Sequence, residues 1–155
     1  MNASIVHLCD VPQHRAAVAA LIPHEFWREV RGASVDGMQA RLALAASAER
    51  VPLALVALHG VQVIGAVNLV DNDDDDHPEW HPWLAGSVVA GPWRGQGIGS
   101  ALVRAVLAQA RRLGFVHVYF GTDGPGSYTR LGAVHHAQPR ADFWFMRFEL
   151  EGGTA

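Results

Sequence analysis

The chain has 155 residues, the length of a single domain, and half of its residues are hydrophobic while 17% are charged. This balance provides enough apolar surface for a packed core and excludes a chain that stays disordered. All twelve basic residues are arginine, and fifteen acidic residues bring the formal net charge to -3. The charge argues against a nucleic-acid partner, and the absence of lysine excludes a Walker A phosphate loop and a lysine Schiff base.

Cysteine content and hydropathy bear on where the protein works. Cys9 is the one cysteine of the sequence, which excludes an intramolecular disulfide and a multi-cysteine zinc site and favours a reducing compartment. No apolar run reaches the roughly 18–20 residues of a membrane span, and the first residues lack the pattern of a signal peptide. We therefore expect a cytoplasmic protein that does not bind membranes.

The N-terminal part of the chain predicts a strand and two helices. Residues 4–9 are apolar enough for a short strand, and Asp10 and Pro12 then predict the start of a helix that runs to Leu21. Ser34 is a predicted N-cap for a second helix.

The middle of the chain predicts strands. The apolar runs 53–58 and 61–70 flank a turn at His59 and Gly60, which indicates an antiparallel hairpin. A loop rich in aspartate and proline follows, and residues 83–89 then form a predicted buried strand.

A long helix is predicted after this strand, because apolar residues repeat near every 3.6 positions from Ile98 to Leu113 and Gly114 can cap the end. The remaining predicted elements are a strand at 115–120, a short helix at 126–131, a hairpin loop around His135 and His136, and a strand at 143–150. A hairpin followed by a helical crossover predicts a mixed sheet with helices on both faces, an α/β or α+β single domain. We expect this domain to span residues 1–150 and residues 151–155 to be a disordered tail.

The glycine-rich turn at 91–99 joins the buried strand directly to the long helix. Such a turn directs backbone N–H groups and the positive helix end at one spot, where a diphosphate fits. A loop that needs only a flexible backbone is the alternative. A dinucleotide-binding oxidoreductase is a weaker alternative, because too few residues follow Gly99 for a complete dinucleotide fold.

The segment Arg94-x-x-Gly97-x-Gly99, followed by a helix that begins Ser-Ala-Leu, resembles the acyl-CoA-binding motif of the GNAT superfamily of N-acyltransferases. The resemblance covers residues 82–133 and includes Ser127-Tyr128 followed by Thr-Arg-Leu-Gly-Ala. Ser127 stands where the family usually has Phe or Leu.

This resemblance implies a mostly antiparallel sheet with two central parallel strands that splay apart, and acetyl-CoA bound between them as cosubstrate without a metal. It implies an acetyltransferase that works by direct attack of a primary amine in a ternary complex. The Val89 N–H would stabilise the oxyanion and Tyr128 would protonate the departing thiolate. The implied cofactor-binding residues are Val88, Val89, Arg94, Gly95, Gln96, Gly97, Ile98, Gly99 and Ser100. A noncatalytic acyl-CoA-binding or regulatory module on the same fold is the alternative.

The acceptor is a small-molecule or peptide amine that the sequence does not identify. The four aspartates at 73–76 are either a solvated loop or a field that favours a cationic amine. Metal binding is not expected, because Asp76 replaces the glycine of a calcium loop and Pro78 and Pro82 oppose the helix that would align two histidines for zinc. A homodimer is suggested only by analogy with other small enzymes. Candidate general bases near the implied acceptor cleft are Glu25, Asp71, His77, Glu79 and His81.

Overall fold

A computed structural model describes residues 3–22, 35–72 and 74–150. Among these residues, seven strands form one sheet in the order β1-β2-β3-β4-β5-β7-β6. The strands are β1 Ser4–His7, β2 Leu53–His59, β3 Gln62–Val70, β4 Trp83–Val89, β5 His117–Thr122, β6 Val134–Arg140 and β7 Phe143–Glu149. The α-helices are α1 Arg15–Leu21, α2 Val35–Ala43, α3 Ile98–Arg112 and α4 Gly126–Thr129.

Helices cover both faces of the sheet, as predicted. Alternate residues of β2 point to opposite faces, so that Leu55 belongs to one apolar cluster and Val56 to the other. The cluster around Leu55 includes the apolar stripe of α3, with Leu102 and Val106 fully buried. The second cluster includes Val18 of α1 together with residues of α2.

The parallel strands β4 and β5 splay apart. They share one register pair, Trp83 with Tyr119, and the Tyr119 N–H donates to the Pro82 carbonyl at 3.0 Å. Beyond this point each strand remains paired on its outer side, β4 with β3 and β5 with β7. The resulting V-shaped opening confirms the splayed strands implied by the resemblance.

A bulge in β4 shapes one wall of this opening. Ala66 pairs with Val88 and Asn68 with Ala85, so β4 holds one residue more than β3 between the two pairs. Gly86 has a φ of 59°, a conformation that suits glycine at a bulge. The glycine within an apolar strand could have indicated this bulge.

Several predicted boundaries were wrong. The first strand ends at His7, because residues from Leu8 turn into a 3-10 helix, and Asp10 and Pro12 lie in 3-10 turns that precede α1. β5 begins at His117 because the Phe115 N–H donates to the Ala110 carbonyl as part of the helix cap.

The predicted loop around His135 and His136 is the strand β6. It lies at the edge of the sheet and most of its residues are exposed, so it lacks the apolar alternation that identifies a strand. The Gly114 cap is confirmed, with a φ of 93°. Ser34, Glu25, Asp73 and residues 151–155 lie outside the described residues.

Candidate active site

Two cavities lie along β4 and share lining residues. The larger has a volume of about 760 Å³ and the smaller about 310 Å³. Ser87 of the β4 bulge and Tyr128 of α4 line both of them. The two cavities therefore adjoin at these two side chains.

The smaller cavity lies at the glycine-rich turn. Gly95 and Gly97 have φ values of 78° and 85°, and a Cβ at either position would meet no atom of the described residues within 4 Å. Gly97 is the N-cap of α3, and the first intrahelical bond runs from the Ala101 N–H to its carbonyl at 3.0 Å. The preceding N–H groups of the first helical turn have no acceptor within the helix. The turn can therefore hold an anion at the positive end of α3.

The backbone N–H and carbonyl of Val89 face the opening between β4 and β5. The Ala90 N–H donates to the Ile64 carbonyl of β3 at 2.9 Å, and neighbouring peptide groups of a strand point to opposite edges. The N–H and the carbonyl of Val89 therefore face away from β3. Consistent with this, Arg94 Nε donates to the Val89 carbonyl at 3.0 Å and so fixes the arginine side chain at the cavity wall.

Tyr128 is held where the cavities meet. Its ring packs against Phe120 with centroids 4.7 Å apart, and its N–H donates to the Pro125 carbonyl at 3.0 Å. Burial raises the pKa of the phenol, the negative charge of Asp123 raises it further, and a hydrogen bond with Ser87 opposes the shift. The hydroxyl therefore keeps its proton at neutral pH.

The larger cavity is lined by charged and aromatic side chains. Three carboxylates line it, from Asp74, Asp76 and Asp123, together with the Arg140 guanidinium. Aromatic side chains lining it include Trp83, Phe120, Phe143 and Phe145. The wall of this cavity therefore combines an excess of carboxylates over guanidinium groups with apolar aromatic surface.

The model of the Acetyltransferase (GNAT) family matches residues 20–132, which is most of the chain. The chain belongs to the GNAT acetyltransferase family. No curated protein sequence matches it significantly.

Solved structures share the fold of this GNAT chain. One is yncA from Salmonella typhimurium, with its cofactor acetyl-CoA, at a TM-score of 0.74 and 19% identity over 100% of this chain and 98% of that chain. A GNAT acetyltransferase from Brucella melitensis in complex with acetyl-CoA has a TM-score of 0.63 and 25% identity, over 93% and 86%. An aminoglycoside 6'-acetyltransferase type Ii has a TM-score of 0.70 and 20% identity, over 97% of each chain.

The GNAT motif residues are not all at the cavity wall. The smaller cavity brings together Val89, Arg94, Gly95, Gly97, Ile98, Gly99 and Ser100. Gln96 is exposed and its amide donates to the Pro92 carbonyl at 3.4 Å. The Val88 side chain is buried in the apolar cluster that contacts α1, so the structure places neither Gln96 nor Val88 among the lining residues.

Of the candidate bases, His77 lines the larger cavity. The described wall of that cavity does not include Asp71, Glu79 or His81. Ser87 was not among the predicted site residues, although the glycine before it in β4 was a signal for it. The aromatic side chains of β7 were not predicted to line the site either.

Within ranges 3–22, 35–72 and 74–150, no helix is long and apolar enough to cross a membrane. The same part of the chain contains no group of three or more His, Cys, Asp or Glu side chains placed to hold a metal ion.

Proposed function

We propose that this GNAT acetyltransferase transfers the acetyl group of acetyl-CoA to a cationic primary amine by direct attack within a ternary complex. The observation that carries the proposal is the meeting of two cavities at Ser87 and Tyr128, one at a helix start suited to a diphosphate and one with an acidic, aromatic wall. Family membership and relatives whose structures hold acetyl-CoA support the identity of the donor.

The smaller cavity would hold acetyl-CoA. Its diphosphate would accept hydrogen bonds from the amides between Gly95 and Ser100. The thioester carbonyl would accept one from the Val89 N–H, which faces the opening. This donor would stabilise the oxyanion of the tetrahedral intermediate, an effect whose loss costs about 10²–10³ in rate in other acyl transfers.

The larger cavity would hold the acceptor. Its carboxylates attract a cation, and its aromatic wall can pack against the acceptor's apolar part. The fold shared with an aminoglycoside acetyltransferase supports a small-molecule amine, and a peptide amine has the same reacting group. The amine would attack the thioester beside Tyr128, which would protonate the departing thiolate.

The proposal is tested with purified protein by calorimetric titration of acetyl-CoA and by release of free thiol with a panel of amines. Cys9 contributes a constant background of one thiol per chain, and the absence of lysine restricts self-acetylation. We expect binding of acetyl-CoA and thiol release that depends on the amine. Binding without thiol release for any amine would favour the noncatalytic alternative.

Replacing Asp76 by Asn tests the preference for a cationic amine. Because Asp76 lines the larger cavity, we expect kcat/KM to fall roughly 2- to 5-fold for a cationic acceptor at low salt, the usual size of an exposed charge interaction. The effect should shrink as salt rises and be absent for a neutral acceptor. Asp75→Asn is the matched control, since Asp75 is in the same loop but not in the described cavity wall. An equal loss in both variants would show that the aspartates act through their general surface charge and not through the cavity wall.

The pKa of Tyr128 predicts the alkaline limit of the reaction. Because burial raises this pKa above the ordinary value of about 10, the hydroxyl stays protonated through pH 9. We therefore expect kcat, measured at saturating substrates, to stay level from about pH 8 to 9 and to decrease only above about pH 10. A decrease centred near pH 8 would assign the acid to another group.

A further inference from the structure

The loop between β3 and β4 places a histidine and a carboxylate together at the wall of the larger cavity. His77 Nδ1 lies 2.8 Å from Asp74 Oδ2, and both residues line the cavity. A carboxylate only accepts hydrogen bonds, so Nδ1 carries the proton of this bond. Of the two neutral tautomers, this bond favours the one with its lone pair on Nε2, the nitrogen that can accept a proton.

The pair is built into the loop rather than formed by chance. Asp74 Oδ1 accepts the Asp76 N–H at 3.0 Å, so both carboxylate oxygens are engaged, and the bond from His77 lowers the pKa of Asp74 and keeps it ionised. Asn72 accepts the Asp74 N–H at 3.0 Å and donates to the carbonyls of His77 and Trp80, both at 2.9 Å. One asparagine therefore fixes the backbone on both sides of the histidine.

Aromatic rings hold the imidazole in place. Trp80 stacks on His77 with centroids 3.8 Å apart and an angle of 4° between the planes. Phe145, which also lines the cavity, presents its edge at a centroid distance of 5.7 Å. With one face covered and Nδ1 bonded, the ring has little freedom to turn away from the cavity.

We infer that His77 is the general base that takes a proton from the acceptor ammonium, and that Asp74 is the positioning residue that fixes its tautomer. The inference rests on the proposed function, since it assigns the acceptor to the larger cavity. Nucleophile activation by a base that a third group orients is a recurrent arrangement in acyl transfer.

The proton balance requires one base besides the acid. An ammonium loses two protons when it becomes an amide. His77 Nε2 takes the first and releases it to solvent, and the neutral nitrogen forms the bond to the carbonyl carbon. When the carbon–sulfur bond breaks, Tyr128 gives its proton to the thiolate, and the second proton from nitrogen restores the phenol.

Another histidine near the cavity is less suited to this step. His136 of β6 faces the same aromatic cluster, but burial lowers its pKa and Arg147, 3.0 Å from its Nδ1, lowers it further. His77 is the histidine in the described wall of the larger cavity.

The test compares His77→Gln with the wild type on two amines of equal length, an alkylamine and its trifluoromethyl analogue, whose ammonium is far more acidic. For the alkylamine we expect kcat/KM to fall about 10²–10⁴-fold, the usual contribution of a general base. For the fluorinated amine, much of which is already neutral, we expect a loss at least tenfold smaller. Asp74→Asn should likewise lose more kcat/KM with the alkylamine than with the fluorinated amine. Its losses should be smaller than those of His77→Gln.

His81→Gln is the matched control, because His81 lies in the same loop, is half exposed, and interacts with Asp71 at 3.9 Å outside the described cavity wall. It should keep wild-type kinetics. Acetyl-CoA affinity, measured for each variant, reports whether the other cavity is intact. If His77→Gln misfolds and loses that affinity, His77→Ala is tested in its place with added imidazole. We then expect imidazole to restore the rate with the alkylamine and not with the fluorinated amine.

Equal losses for the two amines in a variant that binds acetyl-CoA normally, or no loss for the alkylamine, would overturn the assignment of His77. The same holds if imidazole restores nothing to a folded His77→Ala protein. Failure of the proposed function is a separate result, because the wild-type protein would then release no thiol with either amine.

Discussion

Tyr128→Phe is expected to lower kcat by about 10²–10⁴-fold while acetyl-CoA affinity changes little. Tyr128 lines both cavities, its hydroxyl is hydrogen-bonded to Ser87, which also lines both, and its proton is the one that the thiolate would receive. Phenylalanine keeps the ring that packs against Phe120, so the change removes the hydroxyl without opening the core. Single-turnover kinetics with saturating acetyl-CoA measure the chemical step directly.

Tyr119→Phe is the matched control, since Tyr119 is the other tyrosine of the chain. Its ring stacks against Trp80 and it does not appear in the described walls of the two cavities. It should leave the chemical step unchanged. A Tyr128→Phe protein with wild-type single-turnover rate would assign Tyr128 to packing alone.

Local sequence was sufficient to predict the central elements. The glycine turn, the apolar stripe of α3 and the Gly114 cap all lie within about twenty residues, so the chemistry of the turn and the periodicity of the helix appear together. The separation of the two parallel strands was predicted from the resemblance to the GNAT motif. It depends on how β4 and β5 pair at Trp83 and Tyr119, which local sequence does not show.

Tertiary contacts decided what the sequence could not. β6 is a strand because it pairs with β7, although its exposed side chains show no alternation. The acidic wall of the larger cavity combines residues from the β3–β4 loop with Asp123, which follows β5, and no spacing in the sequence relates them. The candidate general bases could not be ranked from the sequence, because their positions relative to the cavity also depend on tertiary contacts.

The acidic run 73–76 illustrates this difference. As a sequence it predicts a diffuse negative field, in which the aspartates are equivalent. In the structure, Asp74 and Asp76 line the cavity and Asp75 does not, and Asp74 alone of these three described residues contacts the His77 side chain through a hydrogen bond. Changing the whole run at once would therefore mix a loss of charge with a loss of the histidine's orientation, and single substitutions separate the two.

Gly97→Val is expected to weaken acetyl-CoA binding at least about 100-fold, which corresponds to about 2.7 kcal/mol. Gly97 lines the smaller cavity and a Cβ there meets no protein atom, so the added side chain would occupy the space that the diphosphate needs. It would also oppose the φ of 85° that Gly97 adopts as the N-cap of α3. Calorimetric titration with acetyl-CoA measures the loss.

Backbone strain must be separated from loss of the binding site, because a side chain other than glycine at such a φ costs about 1–2 kcal/mol of stability. Gly114→Val is the matched control: its φ is 93°, a Cβ there also meets no atom within 4 Å, and it lies at the opposite end of α3. Both variants should lose similar stability in thermal unfolding, but only Gly97→Val should lose affinity. If a folded Gly97→Val protein binds acetyl-CoA as tightly as Gly114→Val does, the diphosphate does not lie on this turn and the assignment of the smaller cavity is wrong.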